Sequence, residues 1–212
     1  MVEEENSKGW MGEDLTRAVK EGKGQLKEGF PPEAAWGQLR EYVHLLYTWS
    51  GRMSLISRED REFLVTRHLV PAMKWLPLIA CLPHRSLIDF GSGGGLPGIP
   101  LKIAMPGMWV YLVESRRRRA NFLREVVRRL GLEKVEVVNS RLEEWKGVKG
   151  GVDIIVSRAV MSVKKMGALA RPHLSPHGSM LIHLGDGDQR VDINQMKVRR
   201  ERWEGMVGRW GE

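Results

Sequence analysis

The residues whose types and spacing could do chemistry lie in the stretch LIDFGSGGGLPGIP, Leu87 to Pro100. Five glycines fall within eight positions there, from Gly91 to Gly98, directly after an apolar run that contains Asp89. Glycine loses more conformational freedom on folding than any other residue, so such a cluster indicates that something approaches the backbone closely. The stretch therefore predicts a loop that binds a ligand along its main chain.

Several ligands fit a loop of this composition. A P-loop needs a Lys-Ser or Lys-Thr pair at its end, and no such pair follows the last glycine. The letters GGGLPG match the dinucleotide-binding pattern G-x-G-x-x-G. The spacing of Asp89, Gly91, Gly93 and Gly95 matches a D-x-G-x-G-x-G loop that binds S-adenosylmethionine. A tight turn without a ligand is the remaining interpretation.

Two acidic residues help to choose among these ligands. Asp89 lies at the end of a predicted strand, where its charge disfavours a nearby pyrophosphate and favours the α-amino group of S-adenosylmethionine. Glu114 ends the next predicted strand and can accept hydrogen bonds from both hydroxyls of a ribose. The second feature serves either cofactor. The pair favours S-adenosylmethionine and leaves a nicotinamide cofactor as an alternative.

The elements that position this loop alternate between strands and helices. Short apolar runs read SLIDF, WVYLVE, VEVVN, VDIIV and SMLIHL, and helical segments separate them. Buried strands with helical connections predict βαβ units and a mostly parallel, Rossmann-like sheet. Ligands of such sheets bind beyond the carboxyl ends of the strands, where the strand order reverses. The glycine loop follows the first strand and is therefore expected at that place.

A helical region precedes the first strand. Trp36, Leu39, Val43 and Leu46 recur at steps of three and four, which is typical of one apolar helix face. A second helix is predicted over residues 60–80. The sequence thus predicts three parts, a mobile tail over residues 1–30, an N-terminal helical extension over 31–85, and an α/β core over 86–212.

Composition limits the function classes. The 212 residues carry a net charge of +8, so a polyanion is a plausible partner. The single cysteine, Cys81, excludes an intramolecular disulfide and a cysteine-based metal cluster. The start of the chain is acidic and polar, unlike a secretory signal, and the longest apolar stretch is too short to span a bilayer. We expect a cytoplasmic monomer without a metal.

The motifs resemble those of a known family. The stretches LIDFGSGGGLPGIPLKIAMP, VYLVESRRRRANFLREVVRRLGL, VEVVNSRLEEW and DIIVSRAV are similar to the RsmG family, also called GidB. The resemblance runs from about Trp36 to Gly185. It implies a bacterial methyltransferase that uses S-adenosylmethionine to modify N7 of a guanosine, position 527 in the 530 loop of 16S rRNA. Its partner is 16S rRNA or the small ribosomal subunit.

The resemblance also implies roles for single residues. Gly91 and Leu96 are expected to line the methionine and ribose part of the cofactor, and Glu114 to hold the ribose. Leu142 and Glu143 are expected to flank the adenine. Arg158, at the end of the fourth predicted strand, is expected to contact the cofactor beside the transfer site and to act in catalysis. The residues Arg67 and His68 match an RH pair on the substrate side of the family.

The predicted helix after Glu114 is strongly basic. The run SRRRRANFLREVVRR holds seven arginines against one glutamate. Helical spacing places Arg117, Arg124 and Arg128 near one side, where they could contact rRNA phosphates. A solvated helix face is the alternative.

The residues that are missing agree with the implied chemistry. No D/N-P-P-Y loop for exocyclic amine methylation follows the fourth predicted strand, and Cys81 lies too far from the loop to be a nucleophile for cytosine carbon-5. Guanine N7 has a lone pair and no proton, so its methylation needs no general base. Orientation of the acceptor can then supply much of the catalysis.

The sequence departs from the family on the substrate side. The family pattern W-N-x-x-x-N-L-T reads WSGRMSLI here, with Ser50, Ser54 and Ile56 at the three polar positions. Leu184 stands where the family has lysine, and Pro71-Ala72 follows the RH pair where it has Asp-Ser. The final strand of the family is expected to be absent. A relative that binds S-adenosylmethionine or RNA with a lost or altered methyl acceptor is therefore the alternative function.

Overall fold

The computed structural model describes residues 17, 20–26, 28–158, 162–183, 188–192 and 197–200. Seven strands form one sheet in the order β3-β2-β1-β4-β5-β6-β7. Their bounds are β1 Ser86–Phe90, β2 Trp109–Val113, β3 Val135–Val138, β4 Val152–Arg158, β5 Leu174–His183, β6 Asp188–Asp192 and β7 Lys197–Arg200. Strands β1 to β5 are parallel, which confirms the predicted fold class, a Rossmann-like α/β sheet with an N-terminal helical extension.

The strand order reverses between β1 and β4. Since β2 lies on one side of β1 and β4 on the other, a crevice opens beyond their carboxyl ends. The glycine loop leaves β1 there, Glu114 directly follows β2, and Arg158 ends β4. The topology therefore brings the three predicted positions to one edge of the sheet.

The α-helices lie before and between the strands. Their bounds are α1 Trp36–Ser50, α2 Val70–Met73, α3 Leu76–Ala80, α4 Gly98–Ala104, α5 Arg117–Arg129 and α6 Val163–Ala170. Helix α1 confirms the first predicted helix. Its buried residues include the four apolar positions of the predicted face.

The second predicted helix, over residues 60–80, is broken into short pieces. A 3-10 turn at Arg61–Phe63 leads into a π-helical turn at Val65–Leu69, and α2 and α3 follow. Pro71 and Pro77 each lie at the start of one of the two α-helices. Because proline has no N–H to continue the ladder of the preceding turn, the helix restarts at each proline. The π-helical turn carries Arg67 and His68.

The extension and the sheet share one hydrophobic core. Buried residues of α1, such as Leu39 and Leu46, belong to the same cluster as Leu87 of β1 and Val156 of β4. Helices α4 and α5 pack on this face too. A second cluster, which contains Ile88 and Met166, covers the opposite face. Asp89 alternates with Ile88 along β1, so it faces the extension.

The N-terminal residues that the structure describes differ from the predicted mobile tail. Residues 20–24 are helical, and Gly22 is buried so closely that an added Cβ would lie 2.9 Å from both Val65 and Val70. Leu26 and Phe30 pack against the shared core. Residues 1–16, 18, 19 and 27 lie outside the described residues.

The sheet continues beyond β5, where the final strand of the family was expected to be absent. Strand β6 pairs antiparallel with β5, and β7 pairs antiparallel with β6. The candidate strand ERWEGMVGRW lies outside the described residues. The predicted division into tail, extension and core stays a prediction. No helix in the described part of the chain is long and apolar enough to cross a membrane.

Candidate active site

The glycine loop turns sharply after β1. Gly91, Gly93 and Gly95 have φ angles of 74°, 55° and 91°, in the left-handed region that favours glycine. The Gly91 N–H donates to the carbonyl of Val113 at 2.9 Å, and the Gly95 N–H donates to that of Ser92 at 2.7 Å. These bonds tie the loop to β2 and close its turn.

Three of the five glycines pack closely against other parts of the protein. An added Cβ would lie 2.9 Å from Leu46 Cδ1 at Gly94, 2.6 Å from Ile99 Cγ1 at Gly95, and 2.6 Å from an Asp89 carboxylate oxygen at Gly98. Real Cβ atoms essentially never come this close, so a side chain at Gly95 or Gly98 has no room, whereas at Gly94 the neighbour is the flexible end of Leu46. At these positions the close neighbour is the extension, α4 or β1, and not a ligand.

Gly93 is less tightly surrounded, because an added Cβ there would make only ordinary van der Waals contacts. An added Cβ would lie no closer than 3.8 Å to another atom, the carbonyl oxygen of Gly91. Gly91 itself is exposed. The side of the loop that carries Gly91 and Gly93 is therefore the side where a ligand can approach the backbone.

The two apolar residues predicted to touch the cofactor are buried. Leu96 packs in the shared core and Leu142 in the opposite one. Glu143, beside Leu142, is exposed. The main chain of these residues can still face the crevice, but the Leu96 and Leu142 side chains serve packing first.

Asp89 is almost completely buried, with 1% of its surface exposed. One of its carboxylate oxygens accepts a hydrogen bond of 2.9 Å from the N–H of Gly98. Burial raises the pKa of Asp89 to about 7, and the hydrogen bond from Gly98 and the charge of Arg158 oppose this rise. The carboxyl thus holds the start of α4 against β1.

Glu114 connects the loop to the start of α5. Its Oε2 accepts a hydrogen bond of 2.9 Å from the N–H of Gly93, and its Oε1 accepts one of 2.7 Å from the N–H of Arg116. A carboxylate has about four acceptor positions, so two remain for other donors. Glu114 can hold a ribose while it keeps the open side of the loop in place.

Sequence reasoning missed two residues that shape this edge. Tyr42 of α1 is fully buried, and its hydroxyl donates to the carbonyl of Gly94 at 2.8 Å. Burial raises the pKa of Tyr42 well above its usual value, so the hydroxyl keeps the proton that it donates. The Asn139 side chain donates to the carbonyls of Glu114 at 2.9 Å and Ser115 at 3.1 Å. An asparagine at the end of the third predicted strand was the sequence feature that could have indicated Asn139.

Arg158 and His68 meet across the crevice. Arg158 Nη1 lies 3.0 Å from His68 Nδ1, and His68 Nε2 lies 3.4 Å from Asp60 Oδ2. Arg67 Nη1 bonds the other oxygen of Asp60 at 2.8 Å. Burial lowers the pKa of Arg158, while Tyr42, Asp89 and Asp60 oppose that effect. The predicted Arg158, Arg67 and His68 therefore lie in one network, through an aspartate that sequence reasoning missed.

The predicted substrate-side arginines of α5 are exposed. Arg124 bonds Asn121, and Arg128 and Arg129 both bond Glu125 on the same helix. Arg117 makes no ion pair within 4.0 Å to the residues that the structure describes. Arg119 instead donates to the carbonyl of Ser54 at 2.7 Å and joins α5 to the extension.

The positions that depart from the family pattern serve the structure. The Ser50 hydroxyl donates to the carbonyl of Leu46 at 2.6 Å within α1, and Ile56 packs against the shared core. Ser54 contributes its carbonyl to Arg119. Leu184 lies outside the described residues.

The chain is similar to curated proteins with one shared name. It is 40% identical over 147 residues to the ribosomal RNA small subunit methyltransferase G of Stenotrophomonas maltophilia strain K279a, which covers 69% of this chain and 68% of the relative. It is 40% identical over 149 residues to the protein of that name from Mycobacterium leprae, over 69% of this chain and 60% of the relative. The chain thus spans about three fifths to two thirds of the length of these relatives.

Solved structures with similar coordinates include an S-adenosylmethionine-dependent methyltransferase from Aquifex aeolicus, with a TM-score of 0.45 and 22% identity over 52% of this chain and 62% of that one. A putative S-adenosylmethionine-dependent methyltransferase from Methanococcus maripaludis gives a TM-score of 0.49 and 16% identity, over 66% of this chain and 61% of that one.

The match to a family description covers most of the chain. Residues 36–201 match GidB, the rRNA small subunit methyltransferase G family. This range contains the glycine loop, the acid after β2, the RH pair and the arginine at the end of β4. The chain belongs to the GidB family of rRNA small subunit methyltransferases, as the resemblance of its motifs predicted.

Proposed function

We propose that this chain transfers a methyl group from S-adenosylmethionine to N7 of a guanosine, position 527 in the 530 loop of 16S rRNA. Membership of the family makes it an S-adenosylmethionine-dependent rRNA methyltransferase. The atom, the position and the residues that act are the proposal. We place the reaction in the cytoplasm, with the protein as a monomer on rRNA or on the small subunit.

One observation carries the proposal, namely the meeting of three different groups at the switch point of the sheet. The open loop at Gly93, the carboxylate of Glu114 and the guanidinium of Arg158 follow β1, β2 and β4. Among the described residues, the only hydrogen-bond partner of Arg158 is His68, so most of its five N–H donors are available.

The residues present fit S-adenosylmethionine. Glu114 has acceptor positions left for two ribose hydroxyls, Gly91 is exposed, and Gly93 has only ordinary contacts beside it. Arg158 can bind a carboxylate, and Asp89 adds negative character near an ammonium. The bound cofactor supplies a sulfonium whose methyl group is electrophilic. Asp89, Glu114 and Arg158 together offer partners of the right sign for its charged and polar ends.

The side chains of the site then have to orient the acceptor, and none of them has to remove a proton from it. Guanine N7 attacks with a lone pair that carries no proton, so no side chain must act as a base. Arg158 ends β4 in a partly buried position beside His68, where it can fix the acceptor or the cofactor in line. Correct orientation of two reactants can supply several kcal/mol of the barrier reduction.

The exposed arginines of α5 suit the phosphates of rRNA. Arg117 and Arg124 lie on the side of the helix that points away from the shared core. Phosphate contacts give affinity and orientation without choosing a base, so base choice belongs to the crevice under the extension.

A second candidate is a relative that binds the cofactor or RNA but methylates another acceptor, or none. Ser50 and Ile56 stand at two positions where the family has other polar residues. The Ser50 hydroxyl bonds a carbonyl within α1, and Ile56 packs against the shared core. On the cofactor side, Gly93, Glu114 and Arg158 lie at the carboxyl ends of β1, β2 and β4. This asymmetry favours a change of acceptor over a loss of cofactor binding.

Transfer of a labelled methyl group tests the proposed function directly. We expect transfer to small subunits from cells that lack this modification, and a single cleavage in the 530 loop by chemistry specific for 7-methylguanosine. Cofactor binding without transfer would instead support the second candidate. Label at a different base would contradict the proposed acceptor.

Gly93→Val tests the open side of the loop. A β-branched side chain at φ 55° is strained and occupies the space that the cofactor needs, so we expect cofactor affinity to fall at least tenfold. Isothermal titration calorimetry measures the affinity, and circular dichroism checks the fold. Gly107→Ala is the control, because an added Cβ there meets nothing within 4 Å. Unchanged binding in Gly93→Val would refute the loop assignment.

Arg117→Gln tests the phosphate-binding surface. Loss of one phosphate contact should weaken binding to a 16S rRNA fragment and reduce the slope of log K against log salt by roughly 0.7 to 0.9. Arg129→Gln removes the same charge from another side of α5, where the guanidinium already bonds Glu125, and should leave the slope nearly unchanged. Equal effects of the two changes would show that only net charge matters.

A further inference from the structure

Asp60 holds two functional candidates at once. It lies directly before the 3-10 turn at Arg61–Phe63, and the residues it bonds lie in the π-helical turn that follows. One carboxylate oxygen lies 2.8 Å from Arg67 Nη1, and the other lies 3.4 Å from His68 Nε2. The hydrogen bond with Arg67 lowers the pKa of Asp60, so the carboxylate is charged at neutral pH.

The contact between His68 and Arg158 allows a single arrangement of protons. A guanidinium has only donors, so His68 Nδ1, at 3.0 Å from Arg158 Nη1, must be the acceptor. The imidazole is then neutral and carries its proton on Nε2. That nitrogen is buried without a hydrogen-bond partner among the described residues, and the group of opposite charge beside it is Asp60 Oδ2 at 3.4 Å.

The surroundings favour this neutral ring. Only 16% of the His68 side chain is exposed. Burial, and next the charge of Arg158, lower the pKa of His68, while Asp60 opposes this and Arg67 adds to it. Tyr42 of α1 and Asp89 of β1 also interact electrostatically with Arg158 and oppose the lowering of its pKa. Within the described part of the chain, no carboxylate lies within 4.0 Å of Arg158, so His68 is what fixes its guanidinium.

We propose that Asp60 is a positioning residue that selects the Nε2–H tautomer of His68 and thereby orients the guanidinium of Arg158 at the transfer site. The proposal rests on the proposed function, because it takes Arg158 to act there. Asp60 does not itself touch the reacting atoms. The other oxygen of Asp60 holds Arg67, so one carboxylate contacts both His68 and Arg67.

The arrangement has a pH dependence with a definite sign. Protonation of His68 places a proton on Nδ1, which removes the acceptor of Arg158 and sets two cations side by side. The pKa of His68 in the fold is below its ordinary value of about 6.5. The contact that positions Arg158 is therefore present at neutral pH, and it is lost as the pH falls through the pKa that His68 has in the fold. Asp60 raises the pKa of His68, so loss of its charge moves this transition to lower pH.

The experiment compares the full chain with its Asp60→Asn variant by nitrogen NMR of labelled histidine rings and by methyl-transfer kinetics. In the wild type we expect His68 to be neutral at pH 7 with the proton on Nε2. In Asp60→Asn we expect a mixture of the two tautomers, a shift of the His68 titration to lower pH, and a kcat about tenfold lower. Cofactor affinity should change less than twofold.

Glu59→Gln is the matched control. It removes the same charge from the neighbouring position, which is exposed, and should leave the tautomer and kcat as in the wild type. Asp60→Glu keeps the charge and should restore part of the tautomer preference. A proton on Nδ1 in the wild type, or an Asp60→Asn variant that behaves like Glu59→Gln, would overturn the proposal.

The tautomer is read without a methyl acceptor, so the two proposals fail separately. A wild type that transfers no methyl group to the small subunit contradicts the proposed function. The same protein with the proton on Nε2, lost in Asp60→Asn, still supports Asp60 as the residue that orients Arg158. Normal methyl transfer by a protein whose His68 carries its proton on Nδ1 would support the proposed function and contradict the role of Asp60.

Discussion

The close packing of the backbone around the glycine loop is the constraint on which the rest of the structure depends. Gly95 and Gly98 leave no room for a side chain, because Ile99 and Asp89 occupy the space, and Gly94 lies directly against Leu46. The loop is thereby held against the extension, α4 and β1 at once. Its remaining side, at Gly91 and Gly93, stays open beside Glu114. That side of the loop is where we propose that the cofactor binds.

Much of the fold could be predicted from the sequence, since buried parallel strands read as short apolar runs and their order follows from the βαβ pattern. The positions of Asp89, Glu114 and Arg158 at one sheet edge follow from the same pattern. The reasons for the glycines could not be predicted. Packing against residues more than forty positions away, as between Gly94 and Leu46, leaves no local signal.

Other features escaped sequence reasoning for similar reasons. The bond between Tyr42 and Gly94 joins residues 52 positions apart, and that between His68 and Arg158 joins residues 90 apart. Pro71 and Pro77 could have indicated that the helix predicted over residues 60–80 is broken, yet the π-helical turn before them has no simple sequence pattern. Strands β6 and β7 read DQRVD and KVRR, and such polar segments lack the apolar runs that revealed the other strands.

The structure of the chain with S-adenosylhomocysteine bound tests the central claim most directly. The account predicts the ribose hydroxyls on the Glu114 carboxylate, the main chain of Gly91 and Gly93 along the nucleoside, and Arg158 within hydrogen-bond distance of the amino-acid end. His68 should keep its contact with Arg158 in that complex. A ligand bound away from Gly93, or a Glu114 that contacts only the backbone, would contradict the account.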